Sequence, residues 1–306
     1  IDFTMSIPSE TLHLHKTSRS HYLTLNHEPA GIGDSFTLDC NKLVLCEVSS
    51  VHSLYADSNK RSLCAKVMEK VKHFEPWFGM EQEYVLCGLD GKPFGWPSQG
   101  CRFPDVSCAV GLNEVHGRDI CICHYKACLY TGVKINGTNA EALSSQEREF
   151  QVGPCEGTEM SDDLWMARYI LHRSSWTSGC HINFSTKDMR AEGGLQYIEE
   201  AVRRLSLRHS EHLLVYDPHG GADNMRRLTS GMCTSSFHEF SAGTGSRSVS
   251  VRIPGHVSYK NCGYLEDRRP ASNCDPYSVI EALVETCLLE TSEEHHDNDK
   301  KTAHPQ

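Results

Sequence analysis

Glu81 and Glu83 lie two residues apart in the run WFGMEQEY, residues 77–84. On an extended strand they project from one face, while Met80, Gln82 and Tyr84 point from the other. Two carboxylates on the inner part of a strand repel each other unless a cation lies between them. A divalent ion with oxygen ligands removes that repulsion, and hard donors suit Mg²⁺ or Mn²⁺ over a soft-ligand metal. An edge strand with two solvated carboxylates fits the same local pattern, so partners elsewhere in the chain must decide. His181 is a candidate partner: in CHINFS, residues 180–185, alternation puts His181, Asn183 and Ser185 on one face and Ile182 and Phe184 on the other. Taken alone, His181 is more simply a histidine on a polar strand face.

The elements that must position these groups follow from periodicity. Residues 41–48, NKLVLCEV, form a short apolar strand. Leu63, Val67 and Val71 recur at four-residue spacing and predict an amphipathic helix over 59–73. The strand 77–86 follows, with a hairpin turn at Asp90-Gly91. A helix runs from Gly117 to Tyr130 and stops at Gly132. Strands are expected at 133–139 and around 149–152, then a helix capped by Ser161 that carries Leu164, Ala167, Ile170 and Leu171. The best helix spans Gly194 to His212, with the stripe Leu195, Ile198, Val202 and Leu205. Alternation returns from Arg247 to Ile253, and a last helix opens on Asp275 as cap with Pro276 at its first position. Residues 1–40 show no assignable element, and the tail 291–306 is polar.

Composition narrows the class. A 306-residue chain with 39% hydrophobic residues has material for a sizeable core. Its formal charge of −10 argues against a nucleic-acid partner. The 15 cysteines include no pair of CxxC knuckles; Cys121 and Cys123 share a face only on a strand, and reduced thiols of a cytoplasmic protein account for the set. No apolar run is long enough to span a bilayer, and the N-terminal stretch lacks the regions of a signal peptide.

The stretches NKLVLCEV, PWFGMEQEY, GKPFGWPS, GRDI, GVKINGTNAE, EFQVGPCEG, CHINFSTKDMR, YDPHGGADNMRRLT, FSAGTGSRSVSVRIP and GYLEDRRPASNCDPYSV, in that order, cover most of residues 41–290. Together they closely resemble glutamine synthetase of the eukaryotic type. The resemblance implies an α+β fold, a half-barrel of antiparallel strands flanked by helices, and a homo-oligomeric ring with sites between neighbouring subunits, or mixing into rings of intact family subunits. It implies the ATP-dependent joining of ammonia to glutamate through a γ-glutamyl phosphate, with Mg²⁺ or Mn²⁺. Matched motif by motif, the metal ligands are Glu81, Glu83, Glu141, Glu149, His181 and Glu266. Arg227, Arg247 and Arg268 match substrate-binding arginines, Arg247 and Arg268 being the catalytic pair. On the nucleotide side the matches are Glu149, Asn183, Ser185, Arg247, Arg252, Tyr264 and Glu266. Guanidinium suits these roles because it pairs bidentately with carboxylate and phosphate.

The chain departs from the family pattern in places that bear on turnover. The family's N-terminal β-grasp domain and its WNFDGSS motif, whose Asp deprotonates ammonium, have no counterpart in residues 1–40, so that domain is missing or vestigial. The segment between Arg173 and Gly179 is shortened where the family carries its NGAG glutamate loop, and the strand before that loop has gone, which predicts a gap or an improvised pairing. Cys233 stands where the family's flap carries a Glu, Gly255 replaces an Arg, and one extra residue separates Glu141 from Glu149. The expectation is impaired activity; the alternative is a non-catalytic, metal- and nucleotide-binding relative acting as a structural or interacting subunit.

Overall fold

The computed structural model describes residues 60–94, 117–140, 147–171, 174–231 and 233–289, together with five strands before residue 51; side chains of those strands other than Leu45, and of 174–178, are outside the description. The five strands are β1 (Phe3–Ile7), β2 (Thr17–Ser18), β3 (His21–His27), β4 (Ile32–Gly33) and β5 (Lys42–Ser50). They make one antiparallel sheet in the order β1-β5-β3-β2, with β4 also on β5. No element was assignable in residues 1–40 from the sequence; they supply four of these strands. β5 matches its expected position and pairs backwards with β1, β3 and β4. β1, FTMSI, and the centre of β3, HYLTLNH, do alternate apolar with polar residues, a period-two signal that the sequence reading passed over.

The chain continues with α1 (Arg61–Val71), β6 (Trp77–Leu86), α2 (Arg118–Thr131), β7 (Ile135–Ala140), β8 (Glu147–Glu156) and α3 (Glu159–Ile170). Next come β9 (Ser174–Ser185), α4 (Lys187–Arg190), α5 (Leu195–Leu207), α6 (His209–Val215) and α7 (Ala222–Arg227). The last elements are β10 (Ala242–Thr244), β11 (Val251–Ile253), α8 (Gly255–Lys260), β12 (Leu265–Asp267) and α9 (Pro276–Val284). A second sheet has the order β10-β11-β12-β9-β6-β8-β7, antiparallel throughout except for the β10–β11 pair. This is the α+β arrangement expected, a mostly antiparallel sheet with helices packed on it.

β6 is an interior strand, bonded to β9 on one side and β8 on the other, which removes the edge-strand reading of Glu81 and Glu83. Its other face enters the core: Phe78, Met80, Gln82 and Tyr84 are fully buried, and the Phe78 and Phe184 rings stack at 5.6 Å. Each such aromatic contributes about 1.5–3 kcal/mol by leaving water. Gln82 is tolerated there because its amide donates to the Glu83 and Ser272 carbonyls and accepts from Arg168 Nε at 2.7 Å. α1 and α3 pack on α9, whose cap is as expected: the Asp275 carboxylate accepts from Ser278 N at 3.0 Å, with Pro276 in the first turn. Gly132 ends α2 in the left-handed region, φ 88°, its N–H bonding the Cys128 and Leu129 carbonyls.

Three local expectations need correction. Ser161 does not cap α3: the helix begins two residues earlier, and the Ser161 hydroxyl is buried inside it. The helix expected over 194–212 breaks at Arg208, which turns His209 and His212 inward to bond Phe237 O and the Tyr216 and Thr286 hydroxyls. The alternation from Arg247 yields a strand only at 251–253. Ahead of it Ser246 and Ser248 bond locally, Ser248 N to Ser246 Oγ at 3.3 Å, and so compete with a ladder, while Ser250 exchanges bonds with Ser241. No helix among the described residues is long and apolar enough to cross a membrane.

Candidate functional site

Register brings the chemistry together. Glu81 on β6 pairs with His181 on β9, Asn183 pairs with Glu266 on β12, and Glu266 pairs with Arg252 on β11. On the other side Glu83 pairs with Glu149 on β8. Directly paired residues share a face, so residues from five strands converge above the same surface. His181 Nδ1 lies 3.7 Å from Glu81 Oε2 and 3.7 Å from Glu266 Oε1, and its Nε2 lies 3.8 Å from Glu83 Oε1. Glu266 is 0% exposed and His181 5%. Burial, reinforced by the nearby Arg268, holds the His181 imidazole well below its ordinary pKa, so the ring is neutral with a lone pair to offer.

These separations exceed hydrogen-bond length. They fall between the roughly 3 Å and 4.2 Å that adjacent and opposite ligands adopt around a six-coordinate ion with bonds of about 2.1 Å. Glu266 Oε2 is buried and faces Arg252 Nε, both atoms lying inside the site. Its ion pair with Arg252 Nε is close but not a directed hydrogen bond. The donor set of carboxylates and one neutral imidazole fits Mg²⁺ or Mn²⁺, with Glu81, His181 and Glu266 as the core and Glu83 and Glu149 beside it.

Neighbouring groups orient the carboxylates. Asn183 Nδ2 donates to Glu81 Oε1 at 2.7 Å, Gln151 Nε2 to Glu149 Oε1 at 2.7 Å, and the Gly179 amide to Glu83 Oε2 at 2.5 Å. That amide is available because β9 bulges opposite β6 between the Gln82–Cys180 and Tyr84–Trp176 pairs. Of the gap or improvised pairing expected near 174–178, the structure has a pairing: Ser174–Trp176 continue the ladder along Tyr84–Leu86.

The arginines divide. Arg268 donates to Glu266 Oε1 at 2.7 Å and to Cys233 O at 3.2 Å. Arg227 is gripped by the Arg268, Arg269 and Pro270 carbonyls and by Asn224, and desolvation lowers its pKa to about 10. Arg247 is exposed in the turn before β11 and makes no hydrogen bond or ion pair with the described residues. Glu141 lies outside the described residues.

Beside Glu81 opens a cleft of about 600 Å³, lined among others by Asn183, Ser185 and Tyr264, the three nucleotide-side matches without charge. Its wall also holds groups the sequence reading passed over. Arg190 sits 4.0 Å above the Trp77 ring and donates to Ser185 Oγ at 3.1 Å and to Glu75 O at 2.9 Å. His256 tilts against Tyr264 with ring centroids 5.6 Å apart. Trp77 and Arg190 fall within the quoted motifs, but a position on α4 gives no sign that Arg190 folds back over β6.

No family model matches the chain. Among known proteins it is similar to the glutamine synthetase of Xenopus laevis, 53% identical over 285 residues that cover 86% of this chain and 72% of the relative. The Gallus gallus glutamine synthetase is 54% identical and the Homo sapiens one 53%, each over 282 residues, 85% of this chain and 75% of the relative.

Proposed function

The chain belongs to the glutamine synthetase family, and from that premise we propose that it is a glutamate–ammonia ligase of reduced turnover that keeps the cation- and nucleotide-binding half of its site. The observation that carries this is the convergence of Glu81, His181 and Glu266 beside the cleft. Mg²⁺ or Mn²⁺ bound there supplies charge neutralisation between two anions, the carboxylate of glutamate and the terminal phosphate of ATP. The reaction is an oxygen of the glutamate side-chain carboxylate attacking the γ-phosphorus as ADP leaves. Ammonium gives up a proton, the resulting ammonia attacks the acyl carbon, and phosphate departs as the nitrogen loses a second proton to give the amide. The chain's own part is positioning and electrostatics: Arg227, Arg252 and Arg268 neutralise the anions, while Asn183, Ser185 and Tyr264 face the nucleotide. A ring assembly in the cytoplasm is part of the same proposal.

Reduced turnover rests on Cys233 at the flap position, which offers no fixed anion to shield an acyl phosphate from water, and on the shortened 174–178 segment. A non-catalytic subunit that mixes into rings of intact relatives is the second reading, favoured by the exposed Arg247. A thermal melt with and without Mn²⁺ and ATP, followed by a glutamine-formation assay on the same sample, separates the two. Mn²⁺ at a hundred times its dissociation constant should stabilise the fold by about 2.7 kcal/mol. Stabilisation with slow glutamine formation supports the ligase; stabilisation without product leaves the non-catalytic subunit; a melt indifferent to Mn²⁺ removes both.

A further inference from the structure

We propose that Arg268 is a latch that ties the loop tip at Cys233 to the sheet until a divalent cation takes Glu266, so that cation binding frees the loop. This rests on the cation reading above.

The loop comprises residues 229–231 and 233–241, Met232 lying outside the described residues. Its root is closed by backbone: Thr229 bridges Ser236, Ser230 N donates to Ser235 O at 3.1 Å, and Phe237 N to Leu228 O at 3.2 Å. At the tip, Gly231 N bonds only locally, to Thr234 Oγ1 at 3.1 Å. What ties the tip to the site is the Arg268 guanidinium, one arm on Cys233 O at 3.2 Å and the other on Glu266 Oε1 at 2.7 Å. A guanidinium is planar and rigid, so the two bonds hold each other in place, and turning away from Glu266 swings the other arm off Cys233.

The cation-free site has reason to close this way. Glu266 is buried and cannot stay charged without a partner. Arg252 and Arg268 supply the positive charge. A divalent ion bound to Glu266 takes over that duty and repels both guanidinium groups at short range. Arg268 then turns towards an anion, and the Cys233 carbonyl loses its donor. Cation binding thereby opens the loop and exposes an arginine for an anionic substrate in one movement.

The Cys233 thiol reports the state of the loop. Maleimide labelling followed by peptide mass spectrometry measures its rate, with exposed Cys123 on α2 as internal reference. Electron paramagnetic resonance of free Mn²⁺ measures site occupancy in the same samples, and a repeat with Mg²⁺ excludes direct metal–thiol contact. The expected result is a rise in Cys233 labelling of roughly fivefold, the scale of one lost hydrogen bond, that follows occupancy while Cys123 stays constant. Arg268→Lys, which keeps the charge but loses the fork, should label fast at every cation concentration. Occupancy without a change in wild-type Cys233 labelling overturns the latch and leaves the cation site standing. No Mn²⁺ binding overturns both.

Discussion

At the residue scale, the two-residue strand period puts Glu81 and Glu83 on one face, while His181, Glu149 and Glu266 are named as their partners by the family resemblance and not by spacing. What the sequence could not show is which groups hold those donors still. Asn183 matches a nucleotide contact in the family pattern, yet its amide is bonded to Glu81 Oε1 at 2.7 Å. Groups that orient a metal ligand typically contribute about 10–100-fold in affinity. Asn183→Ala should therefore weaken Mn²⁺ binding by at least about tenfold by paramagnetic resonance, with ATP affinity in the absence of metal unchanged; the reverse pattern would return Asn183 to the nucleotide alone. Gly179 presents a second case. A Cβ there would sit 2.8 Å from His181 Nε2 and 3.1 Å from an Arg227 nitrogen. Both are tightly packed, so Gly179→Ala should push the imidazole out of place and lower Mn²⁺ affinity on the same tenfold scale, with the far-ultraviolet circular dichroism retained.

At the element scale, long periodic segments were readable and short or locally competed ones were not. β6 spans the residues expected, as does the opening of α9, because a buried alternating run and an Asp-Pro cap are strong signals. The cap has a measurable worth: Asp275→Ala should lower stability by about 1 kcal/mol in urea unfolding, since it strands the Ser278 amide at the head of a buried helix. An unchanged midpoint would mean that another acceptor takes over. Ser161 misled because its residue type suits a cap, while the chain had already turned at Gly157, φ 57°, and begun the helix. The serines of 246–250 read as the polar face of a strand, and their hydroxyls bond to backbone and to each other instead. Periodicity registers side-chain polarity and is blind to such local bonds. The order of the strands ahead of residue 41 lies beyond it for another reason: it comes from pairing with β5, a long-range fact that no short window contains.

At the scale of the whole molecule, β12 joins the site to a buried polar network on its far side. Asp267, next to Glu266, takes a bidentate guanidinium from Arg269 and the Tyr216 hydroxyl at 3.0 Å. Tyr216 has one hydroxyl hydrogen, and it goes to Asp267, so the 2.7 Å contact with His212 Nδ1 requires that nitrogen to be the donor. His212 Nε2 then accepts from Thr286 Oγ1 at 2.9 Å, and the neutral ring is satisfied at both nitrogens. Burial, with Arg269 second, lowers the His212 pKa from 6.5 to about 3. The sign of the linkage follows. Below pH 6.5 the unfolded chain takes up a proton that the folded one refuses, so stability falls as the solution is acidified, by about 1.4 kcal/mol per pH unit, until the folded pKa is reached. Between pH 7 and pH 5 this group alone removes about 2 kcal/mol. His212→Gln keeps an amide donor and a carbonyl acceptor but does not titrate. Whatever its stability at pH 7, its loss between pH 7 and pH 5 in urea unfolding should be smaller than the wild-type loss by about that amount. Equal losses in the two proteins would place the acid sensitivity in other buried groups and detach His212 from it.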